Sequence, residues 1–255
     1  MIQAVGEETR FEEEIAALAA DDPFACRIIS LYRCYPPRLV FVDYWLIRDD
    51  ESGKTTGAAA RNGSNFILFL TESADLDEVS SFMRIAGASG IICSGAYKLD
   101  LSRESHTGPV LVRNERIEVP DEGARFLLPD IKTAYELIAG CADENFRPPV
   151  FEDFYVDVNH KLRHQAISLL GAEEDGRLVA LAMTVAESDD GAVLGAVACL
   201  PGYRKRGFGS RVVSALTNRL IGENKRVFLH RANNANVSFY ERLGFSECGT
   251  WREYN

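Results

Sequence analysis

PGYRKRGFGSR, residues 201–211, places four cations and three glycines within eleven residues of a chain whose net charge is −10. Before it runs GAVLGAVACL (191–200), apolar and short enough to be a buried strand. After it, Val212, Val213, Leu216, Leu220 and Ile221 recur at helical spacing, so a helix is expected over 207–222. Strand, glycine-rich loop, then helix start is the arrangement that binds a compact anion. Backbone N–H groups are free at a helix N-terminus, the helix dipole favours negative charge, and glycine permits close approach. Arg204, Lys205 and Arg206 can add charge-assisted hydrogen bonds.

Three other glycine motifs in the chain fail on context. Arg206-Gly-Phe-Gly209 begins like an RNA-binding strand motif, but Ser210, Arg211, Val212 and Val213 follow where stacking aromatics are needed. A dinucleotide fingerprint needs a third glycine where Val212 stands. The phosphate-loop look-alike Glu51-Ser-Gly-Lys-Thr-Thr56 lacks its first glycine, has Arg48 there, and joins two expected strands without opening a helix. Residues 191–222 hold five bases and no acid. A basic island in an acidic protein suits a small polyanion, and the rest of the surface would repel nucleic acid.

Past an expected strand at 226–230 comes Asn233-Asn-Ala-Asn-Val-Ser-Phe-Tyr-Glu-Arg-Leu-Gly-Phe245. Arg204-x-x-Gly207-x-Gly209 resembles the R/Q-x-x-G-x-G/A motif of the GNAT superfamily of N-acetyltransferases. Asn233 with Phe239-Tyr-Glu-Arg-Leu-Gly-Phe245 is similar to that family's second motif. One departure is Asn236, where the family usually has a small residue. The resemblance implies a mixed α/β (α+β) fold, a mostly antiparallel sheet flanked by helices, and acetyl transfer from acetyl-CoA to an amine without a metal. It implies that Val197, Ala198 and Cys199 lie along the pantetheine arm, with a backbone N–H near Cys199 polarising the thioester carbonyl. Backbone N–H groups of Arg204, Lys205, Arg206, Gly207, Phe208, Gly209 and Ser210 would wrap the pyrophosphate, and Asn233 would contact the cofactor. Tyr240 would also line the cofactor site and protonate the departing thiolate. Gly195 inside the strand reads as a bulge or a close approach. A module that senses acyl-CoA without turnover would carry the same motifs.

The attacking amine must lose a proton, and residues 191–200 contain no carboxylate. Glu173, Glu187, His160 and His164 are candidate bases, with a water relay preferred over any of them. His160 and His164 share a helix face, but Lys161 stands where a zinc-protease motif needs Glu.

The remaining chain reads as helix 8–35, strands 39–47, 54–61 and 65–70 with a turn at Asn62-Gly63, helix 76–86, and strand 90–93. The polar run 101–109 closes with Gly-Pro and reads as a domain boundary. Then come strand 110–119, helices 130–141 and 152–165, a hairpin of 166–173 and 178–188, helix 235–243 and strand 245–254. Residues 1–108 therefore look like a degenerate tandem copy of the 109–255 domain. Their loop Thr71–Glu78 is acidic and glycine-free, which would repel a pyrophosphate. That acidity would suit a cationic amine acceptor. Six scattered cysteines without C-x-x-C read as small buried apolar side chains. No run approaches the ~18 apolar residues of a membrane span, and the acidic N-terminus lacks signal-peptide order. A cytoplasmic protein, monomer or homodimer, is expected.

Overall fold

The computed structural model describes all residues except 7, 8, 20, 119–124, 144, 145 and 233–235. In chain order its elements are β1 (Ile2–Ala4), α1 (Phe11–Ala19), α2 (Pro23–Cys34), β2 (Val42–Arg48), β3 (Thr55–Asn62), β4 (Asn65–Leu70), α3 (Leu76–Ile85), β5 (Gly90–Ser94) and β6 (Ser105–Arg113). There follow β7 (Arg125–Leu127), α4 (Ile131–Ala139), α5 (Phe151–Arg163), β8 (Leu169–Glu174), β9 (Arg177–Glu187), β10 (Gly191–Cys199), α6 (Phe208–Gly222), β11 (Arg226–His230), α7 (Val237–Arg242) and β12 (Ser246–Tyr254). They form two compact units. One comprises Met1–Leu111, His230–Ala235 and Glu247–Asn255, and the other Val112–Leu229 and Asn236–Ser246.

In the first unit the strand order begins β1-β2-β3-β4-β5-β12. All neighbours in it are antiparallel except β4 and β5, which run parallel from Asn65↔Gly90 to Ile67↔Ile92. α3 makes the crossover that a parallel pair requires. The core joins Phe66, Leu68 and Leu70 of β4 to Val79 and Met83 of α3 and to Ile91 and Cys93 of β5, with Tyr254 among them. The helix expected over 8–35 is broken. Asp22 accepts from Phe24 N at 2.7 Å and Ala25 N at 3.0 Å, and Pro23 takes the first helical position, so the chain restarts as α2. The Asp49–Gly53 stretch is a turn, as expected, with Asp49 Oδ1 accepting from Ser52 N at 2.7 Å.

The strand expected at 110–119 is corrected in its extent. Ser105–Pro109 already belong to β6, and residues 114–118 do not continue it. Ser105 is half-buried and His106 exposed, which hid the strand from a hydrophobic pattern, and Pro109 still offers its carbonyl to Arg231 N at 3.0 Å. The three-residue strands β1 and β7 were missed because so short a segment has no readable period.

In the second unit the order is β11-β10-β9-β8-β7, antiparallel except for the β10–β11 pair. One core joins Ala134, Leu137 and Ile138 of α4, Phe154 and Val158 of α5, and Leu169, Leu181 and Met183 of the sheet. Burying one such leucine stabilises by about 1.5–3 kcal/mol. Val212, Val213, Leu216 and Leu220 of α6 have no exposed surface, the face its spacing predicted. α4 and α5 are each a little shorter than expected, and α4 is capped by Asp130, whose Oδ1 accepts from Thr133 N at 2.9 Å.

Candidate active site

β10 and β11 pair only from Gly191↔Arg226 to Leu194↔Leu229. β10 then runs on to Cys199, held by β9 alone. Among the described residues this leaves the Gly195–Cys199 edge unpaired on the β11 side. The departure coincides with a bulge: the β10–β9 register shifts on both sides of Leu194, and Gly195 has no partner. Both readings of Gly195 hold, because a Cβ there would also overlap Val185 Cγ1. Beyond it, Ala196 and Ala198 pack on the α4–α5 core, so by strand alternation Val197 and Cys199 present the opposite face.

The loop turns sharply at Pro201–Tyr203 and passes Lys205 and Gly207 with φ of 62° and 86°. Gly207 sits at the N-cap of α6 in the left-handed region, where glycine is favoured. Phe208 is buried, so it offers the loop only its backbone N–H, while the Arg211 guanidinium lies 4.6 Å from its ring centroid. Gly209 comes beneath Cys199 Cβ and the Phe239 ring, each 3.9 Å from where its own Cβ would be. β10, α6 and α7 therefore meet at this glycine.

Which donors stay open decides what the loop can hold. α2, α3 and α4 each have an aspartate accepting from their first-turn N–H groups. α6 has no side-chain cap bond. α5 and α7 lack one too, but neither follows a split strand. The loop cations are partly engaged. Arg204 Nε donates to Cys199 O at 3.1 Å, and Arg206 pairs with Glu174 at 2.6 Å while lying over the Tyr203 and Phe208 rings. Lys205 is exposed and has no ion pair among the described residues. Bare N–H groups, a left-handed glycine and surrounding cations fit a pyrophosphate.

The first unit repeats the topology without the site. β4, a loop, α3 and parallel β5 match β10, loop, α6 and β11 in order and direction. There Asp75 Oδ1 accepts from Asp77 N and Glu78 N, both at 3.0 Å, so a carboxylate of the chain already fills the helix start.

Tyr240 lies on α7 with its ring edge-on to Phe239 and Phe245, at 5.0 and 5.8 Å between centroids. Burial raises its phenol above the ordinary range, so it keeps its proton at neutral pH. Its hydroxyl makes no hydrogen bond among the described residues. Cys199 is half-buried, and burial is the main cause that raises its thiol, with Cys141 adding to it and Arg204 and the Gly209 N–H opposing. Asn233 lies outside the described residues. α7 starts at Val237, two residues later than expected, with the exposed Asn236 in a left-handed conformation and giving no side-chain cap.

Two candidate bases are committed elsewhere. Glu187 is buried, accepts from Thr184 Oγ1 at 2.8 Å and pairs with Lys225 at 2.7 Å; Glu173 pairs with Arg125 at 3.3 Å. His160 and His164 do share a face, with ring centroids 4.4 Å apart. Among the described residues no three His, Cys, Asp or Glu side chains gather as a metal site. All six cysteines are free thiols, and Cys248 departs from the buried expectation by being exposed.

The Acetyltransferase (GNAT) family profile matches residues 131–245. This segment is a GNAT domain. It contains the split strand, the loop and Tyr240 together. Curated proteins yield no match to the chain. Solved structures share the fold over the whole length. A tandem GNAT protein from the clavulanic acid biosynthesis pathway matches with a TM-score of 0.62 and 13% identity, covering 100% of this chain and 97% of its own. A GCN5-related N-acetyltransferase from Sphaerobacter thermophilus gives 0.64 and 13%, covering 100% and 94%. A GNAT-family acetyltransferase from Colwellia psychrerythraea gives 0.57 and 12%, covering 100% and 98%. The chain is thus a tandem GNAT fold whose second unit carries the family's profile. No helix among the described residues is long and apolar enough to cross a membrane.

Proposed function

We propose that this protein transfers the acetyl group of acetyl-CoA to an amine by direct attack. The observation that carries the reading is the unpaired Gly195–Cys199 edge running into an uncapped helix start. An extended edge can hydrogen-bond the amide-bearing pantetheine arm as an added strand. The N–H groups of Lys205 to Phe208 and of Ser210 can take the pyrophosphate, while that of Gly209 is turned to the Cys199 sulfur. Val197, Ala198 and Cys199 line the arm, and a backbone N–H near Cys199 faces the thioester oxygen, where it stabilises developing negative charge.

The bond changes are simple. The amine nitrogen bonds to the carbonyl carbon, the carbon–sulfur bond breaks, and the sulfur leaves with the electron pair. Tyr240 gives its proton to that sulfur, the amine proton leaves through water, and the same water returns a proton to the Tyr240 oxygen. A neutral phenol at working pH is what this donation needs, and burial supplies it. Cys199 remains a thiol for the same reason, which argues against an acyl-enzyme. Catalysis belongs to the 109–255 region, with 1–108 a degenerate companion whose helix start is filled by Asp75.

Release of free thiol from acetyl-CoA across a panel of amines tests the reading, with Gly207→Glu as the blank. Release with one amine class, abolished in the blank, supports transfer. Cofactor binding without release for any amine points to an acyl-CoA sensor.

A further inference from the structure

Past Arg113, residues 114–117 leave β6 and run as a strap across α6, within the second unit. The Asn218 side chain of α6 holds them. Its Oδ1 accepts from Ile117 N at 3.1 Å, and its Nδ2 donates to Ile117 O at 2.8 Å. One amide thus meets both backbone groups of Ile117, as a neighbouring strand would. The same Oδ1 accepts from Arg113 Nη2, while Arg113 Nε donates to Glu115 O at 2.9 Å. Arg116 Nε donates to the Asn218 carbonyl at 3.2 Å. Arg113 is 2% exposed, and neutral oxygens alone hold its charge among the described residues. Its Nη1 already lacks a partner there, so any further lost bond would leave a second buried donor unmatched. Asn218 is therefore the hub that fixes the strap.

The strap seats on the turn that ends α7. A Cβ built on Gly244 would lie 3.3 Å from Ile117 Cγ2 and 3.7 Å from Arg113 Cδ and Nε. Gly244 has a φ of 78°, and around it the Tyr240 carbonyl accepts from Leu243 N at 3.0 Å and Phe245 N at 3.1 Å. The Phe245 ring is buried and stands edge-on to the Tyr240 ring. α7 itself has six residues, none of them buried, and so short a helix does not hold its own place. The closing turn must therefore fix it. We propose that Asn218 is a positioning residue for Tyr240, acting through the 113–117 strap and the Gly244 turn. This rests on the acetyl-transfer reading, since it concerns the acid of that reaction. Asn218 touches no reacting atom in this scheme; it sets where the phenol stands.

The test uses the full chain, with two readouts. One is fluorine NMR of protein labelled with 3-fluorotyrosine, in which Tyr240→Phe identifies the Tyr240 resonance. The other is thiol release from acetyl-CoA. Asn218→Ala should shift or broaden the Tyr240 resonance and lower kcat by about 10–10²-fold, the cost of a misplaced catalytic group. KM for acetyl-CoA should hold. Made in the Tyr240→Phe background, the same substitution should cost no further kcat. Asn218→Asp keeps the oxygen for Arg113 and Ile117 N, and should restore most of both readouts. Ile117→Ala spares every backbone bond of the strap and removes only its seat on Gly244; it should move the same resonance, and it decides if Asn218→Ala does not fold. An unmoved Tyr240 resonance, or an equal loss of kcat in both backgrounds, would overturn the proposal. Full kcat in Tyr240→Phe would sink the acid reading alone, and the Tyr240 resonance then decides the strap by itself.

Discussion

Gly195 stands against Val185 so closely that any side chain on it would occupy the Val185 Cγ1 position. The contact lies in the bulge where β10 leaves β11, so it links sheet packing to the proposed cofactor edge. Gly195→Ala should destabilise the second unit by about 1–3 kcal/mol, the usual cost of overpacking. It should also raise the acetyl-CoA KM more than it lowers kcat. Val185→Ala added to it should restore much of both. Denaturant melts and steady-state kinetics on the single and double variants check this, and no recovery in the double variant would dissociate the bulge from the contact.

Tyr240→Phe should lower kcat by about 10²–10⁴-fold, the range for losing a general acid. KM for acetyl-CoA should barely change. The hydroxyl has no hydrogen bond among the described residues, so stability should hold. Unchanged kcat would remove Tyr240 from the chemistry.

Cys199→Ala should leave turnover largely intact, because burial holds the thiol protonated. Trapping with radiolabelled acetyl-CoA should show no acetyl group on wild-type protein. A labelled enzyme, or complete loss of activity in the variant, would replace direct attack by a covalent route.

Lys225→Met should destabilise strongly, by about 3–5 kcal/mol, since it leaves Glu187 buried without its ion-pair partner. Lys225→Met with Glu187→Gln should recover part of that loss. Thermal melts of the two variants check it, and a loss below about 1 kcal/mol would mark the pair as an ordinary surface bridge.

Acid stability should depend on His230. Burial, then the Arg27 charge, pushes its pKa down to about 3 from an ordinary 6.5. The unfolded chain therefore binds a proton that the folded one refuses. The stability is fully present above about 6.5 and is lost as pH falls towards 3, by up to about 1.4 kcal/mol per pH unit. His230→Phe should flatten this limb of the stability profile. A wild-type profile without it would show that His230 protonates freely in the folded state.

The glycine loop, the helix it opens and the Tyr240 helix were legible because each is written within a few consecutive residues. Gly195 was legible as a bulge, yet its cause, Val185, lies on the neighbouring strand and no local pattern reveals it. Glu187 looked available as a base, and only the fold brings Lys225 and Thr184 to it. Arg27 and His230 left no signal, since a contact across 203 residues has no sequence spacing. The break at Asp22-Pro23 could have been read, as a cap followed by proline starts a helix.

The last strand, β12, pairs with β5 at Trp251–Tyr254, and Leu99 N donates to the buried Tyr254 hydroxyl at 2.7 Å. The sheet of the first unit is thus completed by a strand that lies some 150 residues further along the chain than β5. On the ribosome, β5 must wait with an open edge while some 150 further residues are made, so a chaperone or transient pairing has work to do there. A premature stop ahead of Trp251 would leave the sheet of the first unit open at β5.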